Sequence, residues 1–228
     1  MELSPLLDAA QKGDLSRLKK LNEDEHDLNE SANNGVTALI LAAENNRTEM
    51  VDFLLKKGAD VNAATTMGGT ALSRAAENGH IDIIRNLLGY GAKAGDLALI
   101  AAVREGNLEA VKLMVENGAN VNAEQRWGQT PLMLAAREGY ADIVRYLLAN
   151  RAKIRVKDKD GRSALSLALD NDNAEIASEL RRAGAKAEAG KKEESDLDEE
   201  DDDILNTEDF NDLMDEEEIP GDIDLDED

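Results

Sequence analysis

The sequence predicts an all-α solenoid of six stacked helix-turn-helix repeats with connecting fingers, followed by a disordered acidic C-terminal tail. Two observations predict it: a recurring spacing and a one-sided charge. Leu6, Leu39, Leu72, Leu99, Leu132 and Leu165 recur at intervals of 33, 33, 27, 33 and 33 residues. Gly13, Asn46, Gly79, Gly106, Gly139 and Asp172 recur at the same intervals. Gly58, Gly91, Gly118, Arg151 and Gly184 follow with 33, 27, 33 and 33. Agreement of three series on one period and one shortening marks a repeated supersecondary unit. The net charge of −23 is carried almost wholly by one segment. Glu193–Asp228 holds 21 of the 49 acidic residues and no Lys or Arg, leaving 28 acids against 26 bases elsewhere.

Each element of the unit has a physical reason. The unit opens with Ser4-Pro5-Leu6, Thr37-Ala38-Leu39, Thr70-Ala71-Leu72, Thr130-Pro131-Leu132-Met133 or Ser163-Ala164-Leu165. A Ser or Thr hydroxyl accepts from free backbone N–H groups at a helix start, and Pro is tolerated in the first turn. Leu and paired Ala residues then form a short inner helix whose small side chains permit close stacking. Gly13, Gly79, Gly106 and Gly139 supply a positive-φ turn; Asn46 can visit that conformation and Asp172 does so less readily. The outer helix shows helical apolar spacing, with Ile143, Val144, Leu147 and Leu148 on one face and Arg145 on another. The unit closes with Gly58-Ala59-Asp60-Val61-Asn62 or Gly118-Ala119-Asn120-Val121-Asn122. No single unit can bury its own apolar face, so neighbours stabilise each other.

The unit resembles the ankyrin repeat, with Thr130-Pro131-Leu132 and Gly58-Ala59-Asp60-Val61-Asn62 carrying the resemblance. It implies a repeat domain over 1–188, divided at roughly 2–33, 34–66, 67–95, 96–126, 127–159 and 160–188, with the tail at 189–228. The first and sixth repeats read as polar caps. The period of 27 removes six residues from the connection Gly91–Leu97 and with them the Thr-Pro opening of the fourth repeat. Two readings remain open: a tolerated loop deletion, or a notch that admits a bulky part of a partner.

The resemblance also implies protein binding through finger tips and the inner-helix face. The equivalent positions are Arg74, Glu77, Asn78, Arg104, Glu105, Arg126, Trp127, Gln129, Arg137, Glu138 and Tyr140, with Thr66, Met67 and Gln125 beside them. Trp127 is the single Trp and falls at a finger tip. It is either a binding anchor, since Trp, Tyr and Arg dominate hot spots, or an indole lying across the next finger. Arg151, Lys153, Arg155, Lys157 and Lys159 stand at every second position, which in an extended segment sets them along one face. That stripe is either a solvated edge or an anion site. In the tail, Phe210, Leu213 and Met214 follow Thr207 at helical spacing and form a candidate anchor that orders on binding.

Several classes are set aside. There is no Cys, hence no disulfide framework or thiolate metal site. No basic leader with an apolar run and no stretch of eighteen apolar residues occurs, so a cytoplasmic protein without a membrane span is expected. No phosphate loop, nucleophile elbow or zinc-protease motif occurs, and the two histidines, His26 and His80, have no catalytic setting. No enzyme, cofactor or metal is therefore expected. Nucleic acid is not expected either, because the chain is acidic and the stripe lacks stacking aromatics. The sequence predicts a monomeric, non-catalytic protein-binding module whose partner is unknown. An acidic-tailed escort for a basic client and a regulator inhibited by its own tail are the alternatives.

Overall fold

The computed structural model describes residues 4–24 and 26–185. Met1–Glu188 forms one compact unit. The acidic segment, including Phe210, Leu213 and Met214, lies outside the described residues.

Among the described residues the chain forms twelve helices in six pairs. The inner helices are α1 (Pro5–Lys12), α3 (Ala38–Glu44), α5 (Ala71–Glu77), α7 (Asp96–Arg104), α9 (Pro131–Glu138) and α11 (Ala164–Asp170). The outer helices are α2 (Leu15–Glu23), α4 (Thr48–Lys56), α6 (Ile81–Gly89), α8 (Leu108–Glu116), α10 (Ala141–Ala149) and α12 (Ala174–Arg182). Helices of seven to nine residues are too short to persist alone, so packing must hold them. Each inner helix packs on the next, from α1 to α11, and the outer helices follow in the same order from α4 to α12.

The opening hydroxyls cap as their chemistry requires. Ser4, Thr37, Thr70, Thr130 and Ser163 each accept from the backbone N–H three residues on, at 3.2–3.4 Å. The Thr70 and Ser163 backbone N–H groups in turn donate to the Ser73 and Ser166 hydroxyls at 2.9 Å. The exception is α7, whose N-cap is Gly95 and has no side-chain bond. Along the stack every inner helix fully buries an Ala at the same register: Ala9, Ala42, Ala75, Ala102, Ala135 and Ala168. The carbonyl of each accepts the N–H five residues on, at 2.9–3.0 Å, which closes the turn into the outer helix. Asn46 and Asp172 take positive φ there, at 55° and 58°, alongside the glycines of their series.

The connections fold into fingers with a common tip. Ala32–Val36, Thr65–Gly69, Gln125–Gln129 and Asp158–Arg162 each close when the first residue's N–H bonds to the fifth residue's carbonyl, at 2.8–3.1 Å. Gly35, Gly68, Gly128 and Gly161 hold the tip with positive φ. The connection from Gly91 to Gly95 has no such tip and runs directly into α7. The row of inner helices still continues across the break, because α7 packs on both α5 and α9.

Candidate partner-binding surface

The missing tip splits the row of fingers into two pairs. Thr66 N–H bonds to Asn34 O at 2.9 Å in the first pair, and Lys159 N–H bonds to Trp127 O at 2.9 Å in the second. Met67 and Trp127 are the central tip residues of the two fingers that face the break. At the same tip position the outer fingers carry Asn34 and Asp160. Met67 is 88% exposed and Trp127 is 59% exposed. Leu97, in the first turn of α7, is 50% exposed and packs at the base of the break. Its Cδ1 lies 3.3 Å from where a β-carbon on Gly68 would stand. Three of the five large exposed apolar side chains among the described residues thus border one gap.

Polar residues surround it. Arg104 Nη2 donates to Gln125 Oε1 at 3.1 Å, which ties α7 to the finger carrying Trp127. Arg74 pairs with Glu77 and Arg137 with Glu138, each at 2.7 Å. Such exposed pairs add little stability. Asn78 donates to Arg74 O at 2.9 Å and caps the end of α5. Glu105 and Arg126 are exposed. Two of the expected contact residues are placed differently. Gln129 is only 7% exposed, and its Oε1 accepts from Gln125 Nε2 at 2.8 Å inside the finger. Tyr140 is half-buried; its hydroxyl donates to Arg104 O at 3.4 Å and its ring lies over Gly106. Finger closure claims the first and repeat stacking the second.

The family model described as Ankyrin repeats (3 copies) matches residues 6–98 and again 99–191. The chain is an ankyrin repeat protein. It resembles the human ASB11 ankyrin repeat domain at 30% identity and a TM-score of 0.72, covering 81% of this chain and 85% of that one. An ankyrin repeat domain from Acinetobacter baumannii AYE is 32% identical, with a TM-score of 0.73 and coverage of 80% and 98%. A chain in the complex of the Bdellovibrio bacteriovorus Bd0816 predatory endopeptidase with immunity protein Bd3460 is 27% identical, with a TM-score of 0.71 and coverage of 80% and 99%. No curated protein matches in sequence.

In this ankyrin repeat protein the cationic stripe lies where the fifth repeat passes into the sixth. Arg151, Lys153, Arg155, Lys157 and Lys159 are all exposed, while Ala152 and Asp158 are buried and Ile154 and Val156 are half-buried. The alternation of exposure therefore holds, but the segment is not one extended edge. Arg151 has φ 65°, and turns fall at Ile154-Arg155 and at Lys159-Asp160. A left-handed residue and two turns are needed to leave α10 and build the last finger. That finger is pinned by Asp158, whose Oδ1 accepts from Asp160 N–H at 3.0 Å and Arg162 N–H at 2.9 Å, and whose Oδ2 accepts from Arg162 Nε at 3.0 Å. Burial pushes the Asp158 carboxyl up, but these donors outweigh it and hold it below the usual carboxylate range.

One set of structural residues escaped the sequence reading. Asn29, Asn62 and Asn122 each accept, through Oδ1, a backbone N–H of the following repeat: Asp60, Lys93 and Lys153, at 2.7–2.9 Å. Asn62 and Asn122 also donate to Gly91 O and Arg151 O, at 3.4 and 3.5 Å. At the same register Arg155 donates to Gly184 O at 3.4 Å, while Gly95 has no side chain to offer. The signal was the Asn that closes Gly-Ala-x-Val-Asn, whose hydrogen-bonding role shows only with the next repeat in place. His80 serves the same cohesion, its Nε2 standing 3.2 Å from the accepting Glu44 carbonyl. Among the described residues no cluster could hold a metal ion, and no helix is long and apolar enough to cross a membrane.

Proposed function

We propose that this ankyrin repeat protein is a non-catalytic binding module whose partner inserts an apolar element into the gap between Met67 and Trp127, over Leu97. Ankyrin repeat domains are in general protein–protein interaction modules, and a structural relative occurs in a complex with a second protein. The observation that carries the proposal is the placing of apolar tips only at the break, with polar tips at the outer fingers. Inner helices in contact stand about 8–10 Å apart, so fingers two repeats apart leave space for one inserted element. A partner helix with its side chains is about 10–12 Å across, comparable to the missing finger. Trp127 and Met67 offer large, desolvatable contact area, and Arg104, Arg126 and Arg137 supply polar contacts around it.

The test starts from a partner captured by the full chain and identified by mass spectrometry, with affinity then measured by calorimetry. Trp127→Ala combined with Met67→Ser is expected to weaken binding at least about tenfold while helicity is unchanged. A six-residue insertion that rebuilds the finger missing between the third and fourth repeats is expected to abolish binding by filling the gap. Undiminished affinity in both variants would refute the proposal. The escort alternative draws only on the 21 carboxylates of Glu193–Asp228. It predicts salt-sensitive capture of basic proteins that is lost in a chain ending near Gly190.

A further inference from the structure

The end of the solenoid carries a feature that the gap does not explain. Between the loop after α10 and the end of α12 lies an open groove of about 540 Å³. Ala152, Ile154, Val156 and Ala183 give it an apolar lining, and Lys153 and Arg155 stand on its rim. Arg151, Lys157 and Lys159 continue the same loop, and Arg181 and Arg182 end α12 beside Ala183; all five are exposed.

Among the described residues, the acids of this loop and of α12 are already engaged. Asp158 and Asp160 pair with Arg162, both at 2.9 Å. Glu175 and Glu179 pair with Arg145, at 3.2 and 2.6 Å. Among the described residues no carboxylate pairs with Arg151, Lys153, Arg155 or Lys159. Arg155 gives one N–H to Gly184 O and has four further donors. Among the described residues the charge around the groove is therefore mainly positive.

We infer that this groove is a second binding site, separate from the gap at Met67 and Trp127, and that it takes an acidic peptide segment punctuated by apolar side chains. Charge complementarity selects the acidic partner. The apolar lining selects against a bare inorganic anion, which would leave Ile154 and Val156 uncovered. Successive side chains of an extended peptide point to opposite faces, so carboxylates can face the rim cations Lys153 and Arg155 while apolar side chains on the other face enter the groove. Among the described residues the groove has no aromatic side chain on which a base could stack, which disfavours single-stranded nucleic acid.

Fluorescence anisotropy on the full chain tests this with a labelled synthetic peptide of about a dozen residues, Asp and Glu interleaved with Leu and Phe. Saturable binding that weakens with salt is expected. Lys153→Glu should weaken it at least about tenfold, and Ile154→Asp should do the same by charging the lining. A poly-glutamate of equal charge should bind several-fold more weakly than the mixed peptide. Trp127→Ala should leave the affinity unchanged, so failure here is distinct from failure at the gap. Because Arg155 also bonds across repeats, Lys153, whose side chain forms no bond to the stack, is the primary variant, with thermal melts as the fold control. Equal affinity for poly-glutamate, indifference to Lys153→Glu in a folded protein, or tighter binding of a single-stranded oligonucleotide would overturn the inference.

Discussion

Arg151 occupies the left-handed position that Gly58, Gly91, Gly118 and Gly184 fill in other repeats. A β-carbon at those glycines would meet nothing within 4 Å, so the objection to a side chain there is torsional alone. An L-residue in this region costs about 1–2 kcal/mol, partly offset by the extra freedom that Gly adds to the unfolded chain. Arg151→Gly is therefore expected to raise stability by about 0.5–1 kcal/mol, read as a shift in the urea midpoint. A loss of stability would mean that the Arg side chain supports the fold. Asp158 gives the residue scale its pH dependence. Its folded carboxyl is held below the unfolded value, so its contribution is complete above the unfolded value of about 4. That contribution is lost as pH falls through the lower folded value. Asp158→Asn is expected to destabilise the protein near neutrality by about 2 kcal/mol and to flatten the acid limb of a stability profile run from about pH 6 to about pH 3. An unchanged acid limb would show that other carboxylates set it.

At the scale of elements, the inter-repeat Asn bonds make cohesion local to each junction. Asn122→Ala removes one bond to Lys153 N–H at 2.7 Å and a longer one to Arg151 O. The expected loss is about 1–2 kcal/mol in equilibrium unfolding. Ala135→Leu adds bulk at a fully buried contact between inner helices and is expected to cost about 1–3 kcal/mol. These elements also show how far the sequence could be read. Helix starts, positive-φ turns and the shortened connection depend on residues close in the chain, so spacing revealed them. The bonds from Asn62 and Asn122 join residues 31 apart, and their partners are backbone groups with no sequence identity of their own. Gln129 and Tyr140 were expected to face a partner because their register says finger and turn. Gln125 and Gly106 turn them into the fold, and folding alone brings those neighbours together. At the gap, the six-residue shortening and Trp127 were legible separately. Leu97 was not, because it is the missing finger that leaves it half uncovered.

At the scale of the whole repeat unit, stability is approximately a sum of junction terms, so the weakest junction decides where the stack opens first. The junction between the third and fourth repeats lacks three contributions present at others: a hydroxyl cap on α7, a side-chain bridge at Gly95 and a bond between neighbouring fingers. It keeps the packing of α5 on α7, that of α6 on α8, and the Arg85–Glu109 ion pair. Exposed pairs offset little, and the missing hydrogen bonds are each worth about 1 kcal/mol. Hydrogen exchange in moderate urea is therefore expected to divide the solenoid into two cooperative groups, α1–α6 and α7–α12, each with its own opening free energy. The six-residue insertion that rebuilds the finger should merge the groups and add about 1–2 kcal/mol, the worth of a cap and one or two bonds. The same variant is expected to lose partner binding, so one change would set stability against function. A single uniform exchange profile in the native chain would show that helix packing alone couples the two halves. The gap would then have no stability cost, and a plain loop deletion would account for it as well as a binding notch.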